Sequence, residues 1–133
     1  MSAIFVDTVG LLALWDRADQ WHPAAATAFE RLKEANRELI TTAYVILECG
    51  NAAARRPYRG EVDVLREQFE SAKALVHPSE TDWRQAWEGY RRGAADQAGI
   101  VDQVSFVVMR RLGLTHAFTN DRHYLSAGFA TLF

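Results

Sequence analysis

The chain has 133 residues, of which 49% are hydrophobic and 24% are charged. The length fits one domain of ordinary size, and the composition is typical of a globular rather than a disordered protein. The formal net charge of −2 excludes a uniformly basic nucleic-acid-binding protein, so any contact with nucleic acid must use a local patch. We therefore expect residues 1–133 to form a single domain.

Cysteine content and hydropathy exclude several further classes. The single cysteine, Cys49, rules out an internal disulfide and a thiolate zinc site, and its apolar neighbours favour a small buried side chain over a reactive thiol. The N-terminal residues lack the basic start and cleavage pattern of a signal peptide. The longest stretch without an acidic residue, lysine or arginine is 123–133, too short to cross a membrane. We expect a soluble, cytoplasmic protein without a membrane partner.

Short apolar runs alternate with helical patterns in the first half of the chain. The predicted elements are a strand at Ala3–Asp7, a helix with Pro23 in its first turn, a strand at Leu39–Thr41, a helix from its cap Thr42 to about Arg56, a break at Pro57–Gly60 and a helix to about Lys73.

The same alternation continues in the second half. The predicted elements are a strand at Ala74–His77, a helix from the capping box of Ser79 and Asp82 to Gly93, a helix at Val101–Leu112 closed by Gly113, and strands at Thr115–Thr119 and Gly128–Leu132. Strands alternating with helices predict an α/β sandwich around a mostly parallel sheet of four to five strands. The strand runs are apolar throughout, as in sheets that are covered on both faces.

Four acidic residues stand out against this pattern. Asp7 and Asp121 follow the first and fourth predicted strands, at the edge where parallel sheets bind ligands. Glu48 and Asp102 interrupt otherwise apolar segments, where an acid is costly to bury unless it is paired or bound to metal. Four carboxylates in one cleft would repel one another, and a hard divalent cation would relieve that repulsion. Oxygen ligands without a Cys or His cluster favour Mg²⁺ or Mn²⁺ over Zn²⁺.

Each acid also has a purely structural interpretation. Asp102 is explained as a helix cap, Asp121 as a turn residue and Glu48 as a paired core acid. Four such coincidences are less probable than one shared site, so the sequence favours the site.

Four segments resemble the PIN domain, most closely the single-domain ribonucleases of the VapC toxin type, and the resemblance covers nearly the whole chain. The segments are Phe5–Thr8, Leu47–Ala52, Ile100–Phe106 with its Asp-x-x-Ser-Phe pattern, and Ala117–Tyr124, similar to Thr-x-Asp-Arg-His-Phe and followed by Ala127–Phe129. The chain departs from many relatives at Gln97–Gly99, where they carry another acid and a Trp-Ser pair.

The resemblance implies a PIN-like α/β/α sandwich that cleaves RNA phosphodiester bonds with one or two Mg²⁺ or Mn²⁺ ions. The implied catalytic and metal-binding residues are Asp7, Glu48, Asp102 and Asp121. The implied hydroxyls that orient these carboxylates are Thr8, Ser105 and Thr119. It further implies the toxin of a toxin–antitoxin pair, with an RNA substrate, a small cognate antitoxin and a homodimer. A PIN-fold RNA- or protein-binding module without turnover remains the alternative.

Other chemistry-bearing residues carry weaker signals. Three arginine pairs, at 55–56, 91–92 and 110–111, are expected to close helices, where cations favour the dipole. Arg55, Arg56 and Arg59 follow the Glu48 helix, so phosphate binding is an equal possibility there. The four histidines lack metal-ligand spacing and are not expected to be ligands. Trp83, Trp87 and Tyr90 share a helical stripe, more typical of core or interface than of base stacking.

Two other classes with acids at strand ends are excluded by missing residues. A phosphoacceptor receiver domain needs an acidic pair at the first strand and a lysine after a late strand, and the chain has neither. A haloacid-dehalogenase-type phosphatase needs Asp-x-Asp, but Val9 stands where the second acid belongs.

Overall fold

In a computed structural model, which describes residues 2–133, the chain forms five strands and eight helices. In chain order they are β1 (Ile4–Val6), α1 (Thr8–Trp15), α2 (His22–Glu34), β2 (Leu39–Thr42), α3 (Ala43–Ala52), α4 (Arg59–Ser71), β3 (Leu75–Val76), α5 (Glu80–Arg91), α6 (Ala94–Gln97), α7 (Ile100–Leu112), β4 (His116–Phe118), α8 (Arg122–Ser126) and β5 (Ala130–Thr131).

The strands form one sheet in the order β3-β2-β1-β4-β5, and every pairing is parallel. This confirms the expected α/β class, and the five strands agree with the four to five that the sequence predicts. Successive strands run outward from β1 on one side and then from β4 on the other, so the order reverses between β1 and β4. Ligands of open parallel sheets bind beyond the carboxyl ends of the strands at this kind of switch point.

The local signals in the sequence set most helix boundaries as expected. Thr42 caps α3 by accepting a hydrogen bond from the Val45 amide at 3.2 Å. The capping box opens α5: the Asp82 amide donates to Ser79 Oγ at 3.0 Å, and the Ser79 amide donates to Asp82 Oδ2 at 2.9 Å. Gly113 closes α7 with φ of +69°, a backbone conformation that glycine adopts without strain.

Helix α1 was not among the predicted elements. Its sequence is apolar throughout and carries no amphipathic period, because the helix is packed closely on the sheet. A Cβ atom at Gly10 would lie 2.1 Å from the carbonyl oxygen of Phe118 in β4, so only glycine permits this approach.

The core lies against both faces of the sheet. Phe5, Phe106, Phe118 and Tyr124 are its largest aromatic members, each at most 1% exposed. Cys49 is fully buried, as expected, and burial raises the pKa of its thiol to about 12, so the thiol stays protonated. No helix among residues 2–133 is long and apolar enough to span a bilayer.

Candidate active site

Asp7 lies at the switch point of the sheet, where β1 ends and α1 begins. Its carboxylate caps α1 and is 1% exposed. Oδ2 accepts a hydrogen bond from Thr119 Oγ1 at 2.9 Å, and Oδ1 accepts one from the Tyr124 hydroxyl at 2.9 Å. Burial raises the pKa of Asp7 to about 6, although both hydroxyls oppose that rise by stabilising the charged form.

Asp102, Asp121 and His123 form a compact group beside Asp7. One potential ligand atom from each lies within 4.8 Å of the others. Asp121 caps α8 by accepting from the His123 amide at 2.9 Å, and its Oδ1 lies 2.8 Å from Nδ1 of the same residue. Helix α7 begins at Ile100 with Gly99 as its cap, so Asp102 lies in the first turn and is not the helix cap.

The charges of the other three predicted acidic residues act on the carboxyl of Asp102. Burial is the largest cause that raises the pKa of its carboxyl to about 8, and the negative charges of Asp7, Asp121 and Glu48 add to it. Such a shift is typical of sites that bind cations or transfer protons. The four carboxylates therefore interact electrostatically and form one unit.

Glu48 occupies the rim of this unit. It is half-buried on α3 and lines a groove of about 330 Å³ between α3, α5 and α7, together with Asn51 and Val101. No ion pair among the described residues involves Glu48, which argues against its interpretation as a paired core acid.

Two residues of the aromatic stripe of α5, Trp83 and Trp87, also line this groove. Trp83, Trp87 and Tyr90 form a ladder of edge-to-face contacts, with centroids 5.9 and 5.2 Å apart. Trp83 is 45% exposed and Tyr90 is 49% exposed, so this stripe is not core.

The three predicted hydroxyls differ in what they contact. Thr119 Oγ1 donates to Asp7 Oδ2 at 2.9 Å and accepts from the Asp121 amide at 3.1 Å, so it contacts two of the acidic residues. Ser105 instead donates to the carbonyl oxygen of Val101 at 3.1 Å, within α7. Thr8 Oγ1 is buried with no hydrogen-bond partner among the described residues.

The first arginine pair does not close a helix, contrary to expectation. Helix α3 ends at Ala52, and Arg55 and Arg56 lie exposed in the loop before α4. Pro57 disfavours a helical conformation at Arg56, where the helix was predicted to end. Arg59 opens α4 and donates to the carbonyl oxygen of Ala54 at 3.0 Å.

Sequence reasoning missed two residues of the site. The search for histidine pairs placed no histidine there, yet His123 contacts Asp121 two positions earlier in the chain. Tyr124 stands where the resembled motif has phenylalanine, and its extra hydroxyl is the atom that contacts Asp7. A buried tyrosine directly after the acidic turn was the available signal, since buried hydroxyls require partners.

An all-parallel α/β sheet with a group of carboxylates beyond its carboxyl edge is typical of domains that bind a ligand at that edge. Comparison with known proteins identifies which one. The PIN domain family model matches residues 4–130. The chain is 30% identical over 128 residues to the 23S rRNA-specific endonuclease VapC20 of Mycobacterium tuberculosis, covering 95% of each protein.

Two further comparisons agree. Ribonuclease VapC26 of Mycobacterium tuberculosis is 28% identical over 125 residues, covering 93% of this chain and 90% of that protein. The crystal structure of Mycobacterium tuberculosis VapC20, described as a Sarcin-Ricin loop cleaving toxin, matches with a TM-score of 0.77 and 28% identity, covering 96% and 97% of the two chains. The chain belongs to the PIN-domain family and, within it, to the VapC type.

Proposed function

We propose that the chain is a metal-dependent endoribonuclease that cleaves RNA phosphodiester bonds as the toxin of a toxin–antitoxin pair. The observation that carries this proposal is the grouping of Asp102, Asp121 and His123 within 4.8 Å beside the buried carboxylate of Asp7. The names of the VapC relatives, an rRNA-specific endonuclease and a ribonuclease, support the same reaction class.

The donor set fits a divalent cation. Carboxylate oxygens are the preferred ligands of Mg²⁺ and Mn²⁺. Burial, and then the charges of Asp7, Asp121 and Glu48, raise the pKa of Asp102, and a bound cation would offset this cost of ionising its carboxyl. The proposed ligands are Asp7, Glu48, Asp102 and Asp121, with His123 beside them. A bound cation supplies charge neutralisation at the scissile phosphate and lowers the pKa of a water.

The chain's own residues hold these donors in place. Thr119 and Tyr124 each fix one oxygen of Asp7, so this carboxylate cannot rotate freely. Thr119 also binds the Asp121 amide, which ties the end of β4 to both acids. Because Asp7 and Asp121 cap α1 and α8, their carboxylates are oriented by backbone amides as well as by side chains. Such second contacts typically fix the orientation of metal ligands.

RNA is a polyanion and this chain has a net charge of −2, so binding needs local positive charge. We assign that role to the exposed Arg55 and Arg56, in the loop that follows the Glu48 helix, and to Arg59 at the start of α4. Replacing Arg55 and Arg56 by alanine should weaken RNA binding and reduce the slope of log affinity against log salt by about 0.7 per lost phosphate contact. Arg84→Ala, which removes an exposed arginine paired with Glu80 on α5, is the matched control.

The toxin role implies partners as well as a substrate. In that role the chain acts in the cytoplasm as a homodimer and is inhibited by a small cognate antitoxin. Analytical ultracentrifugation of the purified chain tests the dimer. Co-purification of a small DNA-binding protein encoded beside it tests the antitoxin.

The decisive experiment separates cleavage from binding. Asp102→Ala should abolish chelator-sensitive RNA cleavage while RNA binding is retained or strengthened, because a negative charge near the phosphate is removed. Glu88→Ala, which removes an exposed acid on α5, is the control and should cleave like the wild type. Near-wild-type, chelator-sensitive cleavage by the purified Asp102→Ala variant would refute this placement of the active site. A wild type that binds RNA without cleaving it would favour the binding module.

A further inference from the structure

The segment between α5 and α7 has an unusual backbone. Gly93 has φ of +68°, and Ala95, Asp96 and Gln97 follow with φ of +55°, +56° and +59°. Successive non-glycine residues in this left-handed region are disfavoured, because their Cβ atoms crowd the following carbonyl oxygens. The sequence of this turn does not select such a conformation, so contacts from elsewhere in the fold must hold it.

The side chain of Gln103 provides those contacts. Its Nε2 donates to the carbonyl oxygen of Ala94 at 2.8 Å and to that of Ala98 at 3.2 Å, so one amide group clamps both ends of the turn. Carbonyl oxygens only accept, which fixes the amide with its nitrogen toward the turn. Gln103 is 4% exposed, so water does not compete for these two hydrogen bonds.

Gly89 of α5 leaves space for the Gln103 amide. A Cβ atom at Gly89 of α5 would lie 2.7 Å from Oε1 of Gln103, closer than packed atoms tolerate. Gly89 is buried, and its missing side chain therefore lets the Gln103 amide fit between α5, the turn and α7.

The clamped turn lies between the two helices that carry the acidic group. Gln103 directly follows Asp102 in the first turn of α7, and the turn packs against α8, whose cap is Asp121. A relaxed turn would change how the chain enters α7, and with it the distance between these two carboxylates. Misplacement of a catalytic group by about 1 Å can reduce a rate by about 100-fold.

We propose that Gln103 is a positioning residue: it holds the left-handed turn 94–98 and thereby sets the spacing of Asp102 and Asp121. Gln103 contacts the turn and not the reacting groups. The inference rests on the proposed function only where it concerns catalysis, since its effects on the turn and on cation binding are measurable without RNA.

Gln103→Met tests this directly, because it keeps the side-chain length and removes both hydrogen bonds. In the metal-free protein, amide hydrogen exchange should become faster at Gln97 and Ala98, whose amides donate within the turn. The Kd for Mn²⁺, measured by calorimetry, should rise about tenfold or more, and kcat should fall similarly while KM for RNA is unchanged.

Gly89→Ala perturbs the same amide from the opposite side and should reproduce the loss of Mn²⁺ affinity. Its control is Gly60→Ala, also a helical glycine replaced by alanine, where an added Cβ meets nothing within 4 Å. Gly60→Ala should leave exchange in the turn, Mn²⁺ affinity and kcat unchanged. If Gln103→Met does not fold, this pair carries the test alone.

The outcomes separate this inference from the proposed function. Faster exchange in the turn with unchanged Mn²⁺ affinity and kcat would overturn it, since Gln103 would then support only local structure. Unchanged exchange would overturn it as well. A wild type that binds Mn²⁺ but cleaves no RNA would refute the proposed function, and exchange and Mn²⁺ affinity would still decide the role of Gln103.

Discussion

Removing the charge of Asp102 should stabilise the metal-free protein at neutral pH. In the folded chain, burial and then the charges of neighbouring acids raise the pKa of this carboxyl to about 8, against 3.8 for an ordinary aspartate. A carboxyl that holds its proton more tightly when folded than when unfolded takes up a proton on folding between those two pH values. The free energy of unfolding of the wild type should therefore fall as the pH rises from about 4 to about 8.

The size of this effect follows from the shift. Each pH unit between the unfolded and folded pKa values is equivalent to about 1.4 kcal/mol, which gives an upper limit of about 4 kcal/mol by pH 7. Because Asp102 is half-buried, solvent screens part of this interaction. The free energy of unfolding should therefore fall by about 2 to 4 kcal/mol. Asp102→Asn keeps the shape of the side chain and cannot ionise, so it should lack this part of the pH dependence.

Thermal and urea unfolding from pH 4 to 8, in the presence of a chelator, measures the prediction. At pH 7.5 the Asn variant should melt about 5 to 15 °C above the wild type, and the two should converge near pH 4. Glu88→Gln, which neutralises an exposed acid on α5, should follow the wild type. A free Mn²⁺ concentration of about 100 times the Kd should raise the free energy of unfolding of the wild type by about 3 kcal/mol, and that of the variant by less. If the free energies of unfolding of the wild type and of Asp102→Asn change in parallel from pH 4 to 8, Asp102 is not a carboxyl whose ionisation is opposed by burial and by neighbouring charges.

Three further substitutions test other parts of the structure. Tyr124→Phe removes a hydroxyl that stabilises the charged form of Asp7, so the pKa of that carboxyl should rise above about 6; a carboxyl NMR titration that shows no rise would contradict the contact. Gly10→Ala forces a Cβ against a carbonyl oxygen of β4 and should cost about 1 to 3 kcal/mol in urea unfolding, whereas a neutral result would place α1 further from the sheet. Arg111→Met removes the two hydrogen bonds, at 3.0 and 2.7 Å, that Arg111 donates to the buried carboxylate of Asp82. It should lower stability by about 1 to 3 kcal/mol without changing RNA cleavage, and lost cleavage at full stability would assign Arg111 to the active site.

The sequence predicts the site residues whose positions follow from the common direction of the parallel strands. Asp7 and Asp121 each follow an apolar run, and in a parallel sheet all such runs end at one edge. Their approach is therefore a consequence of topology, and the alternation of strands and helices predicts that topology. Asp102 and Glu48 were found because an acid in an apolar segment requires a compensating partner.

Contacts between side chains that are far apart in the sequence cannot be predicted from the order of strands and helices. Tyr124 and Asp7 are separated by 117 positions, and nothing local indicates that the hydroxyl of one meets the carboxylate of the other at 2.9 Å. Helix α1 escaped prediction for a related reason. The residues of α1 are apolar on its partly exposed face as well as on its buried face, so its sequence lacks the period by which amphipathic helices are identified.

The turn before α7 shows why local propensity fails near this site. Ala95 and Gln97 carry no preference for left-handed backbone, and a local prediction assigns them an ordinary helix or loop. The turn is contacted by the amide of Gln103, six residues further along the chain than Gln97, and a Cβ at Gly89 of α5 would lie 2.7 Å from the oxygen of this amide. Folds retain such strained segments where the surrounding structure over-determines them, and these segments cluster at functional sites. The departure of Gln97–Gly99 from the pattern of many relatives overlaps this turn, where we propose that Gln103 supports the acidic residues.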